Sequence, residues 1–363
     1  MNPKMLACAV LIAGASAVCS PLAGWTDDSA SSIAAGGLVS RRETRIVMAK
    51  EMLEISPTKV VVDYDFRNDT DQDVTTEVAF PVPPYSYEFD GPLIPDESFS
   101  SFQLFVDGKR VAFQSEAKAT LDGKDVTGVL TADGIDIPTI GHLRETDRPE
   151  VELHSPDLER LPEAEQKRLI NLGLFGADRP WGTWTVHLQY HWTQSFPAHS
   201  TVHIRHEYTP VEGDELMPLE TVQNVVEHTR STGSADTASY EAEDMQRLES
   251  LCPDPGFLSS LLGQMNASGP GYGQYAHPRW VDFILTSANT WRQPIEDFTL
   301  IVSRGKPMED DTQVFVSFCS PQDEAVEKLD PDHFRIHVTH FVPKKELRIG
   351  YFDVPKANPA PKR

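Results

Sequence analysis

Three histidines and a glutamate in "WTVHLQYHWTQSFPAHSTVHIRHEYTPV", Trp184 to Val211, are the first residues whose types could do chemistry. Trp184, Val186, Leu188, Tyr190 and Trp192 share one face of an alternating strand, so His187 and His191 fall on the other. Val202, Ile204, His206 and Tyr208 share the apolar face of a return strand, with Pro197 in the loop between. Pairing the two with their apolar faces together sets His191 opposite His203 and His187 opposite Glu207. Neutral imidazole ligates transition metals, and three or four convergent donors make a site. The divalent-metal reading therefore takes His187, His191, His203 and Glu207. The alternative is a solvated strand face with no cofactor.

Asp69, Asp71 and Asp73 in "RNDTDQDVTTEVAFPVP" could begin a calcium loop. A helix–loop–helix site wants glycine at the sixth position and glutamate at the twelfth. Counted from Asp69, those positions hold Val74 and Phe80, and both flanks alternate as strands. A hairpin turn is the better reading, with a looser calcium site as the alternative.

Other chemistries find little support. There is no G-x-S-x-G, H-E-x-x-H or phosphate-binding P-loop. "SEAK" (Ser115 to Lys118) has the S-x-x-K spacing, but Ser115 borders a strand and K-T-G is absent. No carboxylate pair stands out among 55 acidic residues. Six tryptophans could stack sugars, but Trp184 and Trp192 sit on an apolar strand face and read as core. No catalytic residue is assigned.

The compartment is more legible. Lys4, the apolar run Met5 to Cys19 and Pro21-Leu22-Ala23 form a signal peptide over residues 1–23. Lipid anchoring at Cys19 is the alternative, although Val18 before it is bulky for that motif. No later stretch is long and apolar enough to span a bilayer. Cleavage leaves 31 Lys and Arg against 55 Asp and Glu, a net charge of −24. Such a surface repels nucleic acid and anionic lipid. It also leaves Cys252 and Cys319, which in an oxidising compartment predict one disulfide. Two buried thiols are the alternative.

These residues must be positioned by strands. Lys59 to Arg67 and Val74 to Phe80 alternate cleanly; Phe102 to Val106 and Val111 to Phe113 flank the hairpin signal Asp107-Gly108. Residues 125–180 read as a partly helical excursion, with a helix over Pro162 to Leu172 stopped by Gly173. Residues 212–240 are polar and linker-like. A helix near Glu241 to Leu251 follows, then another capped by Asp254 with Pro255 next. Trp280 to Leu285, Phe298 to Val302, Val314 to Phe318, Phe334 to Val338 and Leu347 to Phe352 read as closing strands.

Several segments carry a family resemblance. They are "AAGGLV" (Ala34 to Val39), "ISPTKVVVDYDFRNDTDQDVTTEVAFPVP" (Ile55 to Pro83), "WTQSFPA" (Trp192 to Ala198), "HEYTPVEG" (His206 to Gly213), "ANTWRQPIEDFTLIVSRGKP" (Ala288 to Pro307) and "FVSFC" (Phe315 to Cys319). Together they resemble bacterial secreted domain-of-unknown-function family 4424. The resemblance spans nearly the whole mature chain. It implies an exported cell-envelope protein and no reaction.

The expected fold is mainly β, an antiparallel sandwich-like architecture in two units with a helical insertion in the first and short helices between the units. The expected boundaries are 24–212 for the N-terminal unit, 213–278 for linker and helices, 279–355 for the C-terminal strands and 356–363 for a disordered tail. The expected function is non-catalytic binding of an envelope protein or glycan in the periplasm or outside the cell, without nucleic acid. The alternative is an envelope hydrolase or sugar-processing enzyme whose carboxylates only the fold brings together.

Overall fold

The computed structural model describes residues 29–34, 37–40, 42–87, 101–145, 153–177, 181–230, 245–269, 271–322 and 324–357. Residues 1–23, expected to be a signal peptide and including Cys8 and Cys19, and residues 358–363 of the tail, lie outside them.

The protein is mainly β. Strand alternation creates apolar faces, and these pack against one another in layers. A six-stranded sheet runs in the order Gly37–Ser40, Ser29–Ala34, Val74–Pro81, Thr185–Phe196, Gln114–Leu121, Lys124–Asp125. An eight-stranded sheet runs Glu327–Lys328, His333–Phe341, Ile295–Ser303, Ile46–Ile55, Val60–Asn68, Ser200–Tyr208, Gln103–Val106, Lys109–Arg110. Between them lies an aromatic core. Phe102 stacks on Tyr190 with ring centroids 4.0 Å apart, Phe80 stacks on His206 at 5.0 Å, and Trp192 meets His206 at 5.3 Å.

This layering corrects two expected pairings. Val60–Asn68 and Val74–Pro81 do not form a hairpin; they lie in different sheets, so residues 69–73 are an arch from one layer to the other. Likewise Thr185–Phe196 and Ser200–Tyr208 lie in opposite sheets, and the register placing His191 beside His203 does not form. The physical reason is that period-2 alternation names the buried face of a strand but not its lateral neighbour. The two arches brace one another: the amide Nδ2 of buried Asn68 donates to the carbonyls of Gln72 and Phe196 (both 2.9 Å), and Ala198 N–H donates to Asp73 (2.8 Å). The Asp107-Gly108 turn forms as read, both residues at positive φ, with Val106 opposite Lys109.

Between residues 125 and 181 the chain is partly helical, with Thr127–Ala132, Pro156–Glu159 and Glu163–Asn171; the last is the helix that the spacing over Pro162 to Leu172 predicts. The polar stretch after Val211 differs from expectation. Glu212–Asp214 and Met217–Pro218 are strands, and Leu219–Arg230 is a helix; the serine-rich remainder, 231–244, lies outside the described residues. Pro255–Ser268 is a helix whose Asp254 carboxylate accepts from the N–H groups of Gly256 and Phe257.

The closing strands are shared out. Ile295–Ser303 pairs in parallel with Ile46–Ile55 and so completes the eight-stranded sheet. It also pairs with His333–Phe341 in that sheet, whereas the other three closing strands join Glu212–Asp214 in a third sheet, in the order Glu212–Asp214, Tyr275–Phe283, Leu347–Pro355, Thr312–Phe318, with Met217–Pro218 also on Tyr275–Phe283. One face of it (Val281, Phe283, Ile349, Tyr351) joins the main core. The other (Ala276, Phe352, Val354) packs against Val222, Val225, Leu248, Leu258, Leu261 and Met265 of the helices. The Cys252–Cys319 disulfide ties this helical layer to the end of the Thr312–Phe318 strand.

Candidate functional site

On the helix-facing side of the third sheet, Ala276 belongs to the second core, whereas Trp280 and Asp282 further along the same strand face line an open cleft. The cleft measures about 290 Å³. Its walls come from distant parts of the chain: Val82 to Ser86, Tyr208, Pro210, Val211, Gly213, Arg247, Trp280, Asp282 and Arg348.

Trp280 organises it. Both cross-strand partners of this residue are glycines, Gly213 on one side and Gly350 on the other. The indole lies so close over Gly213 that a Cβ there would stand 1.8 Å from Cε2 and 2.2 Å from Cζ2 and Nε1. Two guanidinium groups stand by the ring, Arg247 at 5.7 Å and Arg348 at 5.8 Å from its centroid. Each cation has its own acid. Arg247 pairs with Glu215 at 2.8 Å. Arg348 donates through Nε to one oxygen of Asp282 (2.6 Å) and through Nη2 to the other (2.8 Å). The Asp282 hydrogen bonds hold the Arg348 guanidinium above its usual pKa. Pro83, Pro84, Tyr85 and Ser86 also line the cleft, and Tyr85, largely buried, donates its hydroxyl to Pro138 O at 2.7 Å.

Beneath the same strands, on the opposite face, lies a buried ionic cluster. Arg279 donates through Nε and Nη2 to Asp353 (3.1 and 2.8 Å) and through Nη1 to Glu212 (3.2 Å). The other oxygen of Asp353 accepts from Met308 N–H (2.8 Å) and the Thr312 hydroxyl (3.3 Å). Burial pushes Glu212 and Asp214 above the usual carboxylate range, partly offset by Arg279 for the first and by His277 for the second. Perturbed carboxylates are a common mark of catalytic sites. Neither of these lines the cleft, and Asp353 is saturated with donors. The cluster fastens the four strands of the third sheet to one another.

The residues singled out by sequence are dispersed. His191 meets Glu77 at 2.7 Å and His187 meets the Thr120 hydroxyl at 2.9 Å, both on the outer face of the six-stranded sheet. His203 lies on the outer face of the other sheet between Asp65 (3.0 Å) and Asp63 (3.2 Å), and Glu207 pairs there with Lys59. Asp69 pairs with Arg67 and Arg292, Asp71 meets His199, and Asp73 receives Ala198 N–H. Among the described residues no group of three or more His, Cys, Asp or Glu is placed to hold a metal ion. Cys252 and Cys319 are joined. Ser115 and Lys118 lie on a strand, not at a helix start.

None of the cleft's polar residues stood out in the sequence. The one local signal was Trp280 on the polar side of a strand whose neighbours Val281 and Phe283 are core; its glycine partners are visible only once the register is known.

The model of the family described as a domain of unknown function (DUF4424) matches residues 26–349. No curated protein matches the sequence. A solved structure of a "putative nutrient binding protein" from Legionella pneumophila subsp. pneumophila str. Philadelphia 1 is similar at 12% identity and a TM-score of 0.35, over 85% of this chain and 68% of that one.

Proposed function

The chain belongs to the DUF4424 family, and from that premise we propose that it is an exported binding protein of the bacterial cell envelope, without catalysis, whose ligand enters the Trp280 cleft. The observation that carries the reading is the cleft itself. It offers an aromatic surface and donors and acceptors that fix orientation, and among its described lining residues no nucleophile is hydrogen-bonded to a base. Small-molecule sites combine these same features. Export is supported by the charged, apolar and small-residue pattern of residues 1–23 and by the disulfide, which suits an oxidising compartment. No helix among the described residues is long and apolar enough to cross a membrane. The net charge of −23 disfavours nucleic acid.

The test is a thermal-shift screen of the mature protein against a broad panel of small solutes and short peptides, run in parallel on Trp280→Ala. At least one class should raise Tm in the wild type and leave the variant unmoved. Stabilising compounds that act equally on both proteins would place binding elsewhere and end the proposal, as would a panel that moves neither.

A further inference from the structure

We propose that the cleft takes a neutral saccharide ring; the inference rests on reading the cleft as a binding site and names what fills it. A pyranose has two unlike surfaces: an apolar face of C–H bonds and a rim of hydroxyls, each both donor and acceptor. The cleft has the matching pair. The half-buried Trp280 indole, with Gly213 against it and the two guanidiniums over its ring, supplies the aromatic surface that these neighbours leave open to the cleft. The rim supplies donors and acceptors side by side, because each guanidinium is paired with a carboxylate. Arg348 spends Nε and Nη2 on Asp282, so its Nη1 remains to donate to a ligand hydroxyl. Asp282 oxygens each have a further lone pair to accept from one.

Charge decides against the obvious rivals. Two arginines beside a tryptophan would suit a phosphate or carboxylate if they were unpaired. Here Glu215 and Asp282 neutralise them, within a chain of net charge −23. An anion would meet guanidiniums whose charge is already balanced by a carboxylate each, in an unfavourable surrounding field. A neutral polyol need displace neither. The cleft, at about 290 Å³, lies at the small end of small-molecule sites, which run from about 300 Å³ upward, and is of a size to take a single ring.

The glycine row adds an independent observation. A side chain at Gly213 would drive the indole off its seat, so the indole holds its place because that position is bare. A ring plane fixed before the ligand arrives spares the ordering cost that a freely rotating indole would meet on binding.

The experiment titrates the full mature protein with methyl α-glucoside, methyl α-mannoside and N-acetylglucosamine. Glucuronate, inorganic phosphate and a proline-rich peptide are the comparison arms. Binding is read by calorimetry and by the indole emission that disappears in Trp280→Phe. At least one neutral saccharide should saturate the signal. Trp280→Ala and Arg348→Gln should each weaken it about tenfold or more, and Gly213→Ala should weaken it while urea unfolding shows the variant folded. Binding only of glucuronate, phosphate or the peptide, lost in Trp280→Ala, overturns the saccharide and leaves the cleft as a site. Saccharide binding that Trp280→Ala does not alter overturns the proposed location. A flat response in every arm overturns the saccharide, and with a screen that moves neither protein the binding-site reading falls too.

Discussion

Gly213→Ala adds a single methyl group, and the structure fixes where it goes. Its Cβ would lie 1.8 Å from Cε2 of Trp280, against the 3.4 Å at which ordinary contact begins, so the indole must retreat by roughly 1.6 Å. Backbone strain does not enter, because Gly213 is not among the residues at positive φ. Three effects then compete. Alanine lowers the entropy of the unfolded chain, which stabilises by about 0.4–1 kcal/mol. Crowding a packed contact costs about 1–3 kcal/mol. Moving the ring also weakens the two guanidinium contacts at 5.7 and 5.8 Å, each worth about 0.5–1 kcal/mol at a partly exposed site. The costs win, and the variant should be less stable by about 1–3 kcal/mol in equilibrium urea unfolding at unchanged m-value. The decisive measurement is the double-mutant cycle. With Trp280→Ala already in place there is nothing to collide with, so Gly213→Ala should become neutral or mildly stabilising, giving a coupling of at least about 1 kcal/mol. Equal effects in both backgrounds would show that the indole does not rest on Gly213 and would remove the seat on which the cleft is built.

Three further outcomes follow from the buried ion cluster and the disulfide. Arg279→Met should cost about 3–5 kcal/mol, because it strands the carboxylates of Asp353 and Glu212 in the interior; adding Asp353→Asn should recover part of the loss in the same unfolding assay. Burial raises the Asp214 pKa, so the folded state holds that proton to a higher pH than the unfolded chain does. Its contribution to stability therefore falls as pH rises from the ordinary carboxylate range through the raised value, and Asp214→Asn should flatten that decline when unfolding midpoints are compared between about pH 4 and pH 8. Replacing Cys252 and Cys319 together by serine should cost about 4 kcal/mol, since the bond closes a 67-residue separation; reduction of the wild type should reproduce the loss, and a variant of unchanged stability would refute the estimate.

The sequence was informative wherever the structure is local. Alternation marked the buried sides of Val60–Asn68 and Thr185–Phe196 correctly, because a pleated strand turns every second side chain the same way. Asp107-Gly108 gave its hairpin, since both residues accept positive φ. The equivalent Asp122-Gly123 turn, joining Gln114–Leu121 to Lys124–Asp125, carries the same signal and is absent from the strand reading. Partner choice was not legible. Asn68 is an example: read as a turn residue, it is fully buried, and its side-chain amide bridges both arches in place of a ladder. Ile295–Ser303 is another, joining Ile46–Ile55 across some 250 residues of intervening chain. That pairing depends on packing between layers, which no local window contains.

The same limit governs the cleft, and it explains why the histidines drew attention while Trp280 did not. Chemistry-bearing residues close in sequence invite a site, but in a sandwich two consecutive strands can present their polar faces to opposite sides of the molecule. His191 and His203 are separated in this way, each facing outward beside a carboxylate of its own sheet. The cleft is assembled by the converse arrangement. Arg247 comes from the helical layer, Trp280 and Arg348 from adjacent strands of the third sheet, and Pro83 and Pro84 from the end of the six-stranded one. What unites them is the pairing of Glu212–Asp214 with Tyr275–Phe283, which sets a glycine beneath an indole and, on its reverse face, a buried carboxylate against Arg279. A strand of three residues thus carries both the seat of the cleft and the ion pair that anchors the seat. Loosening Arg279 should therefore disturb the indole without touching the cleft, and the emission specific to Trp280 should shift in Arg279→Met even under conditions where that variant remains folded.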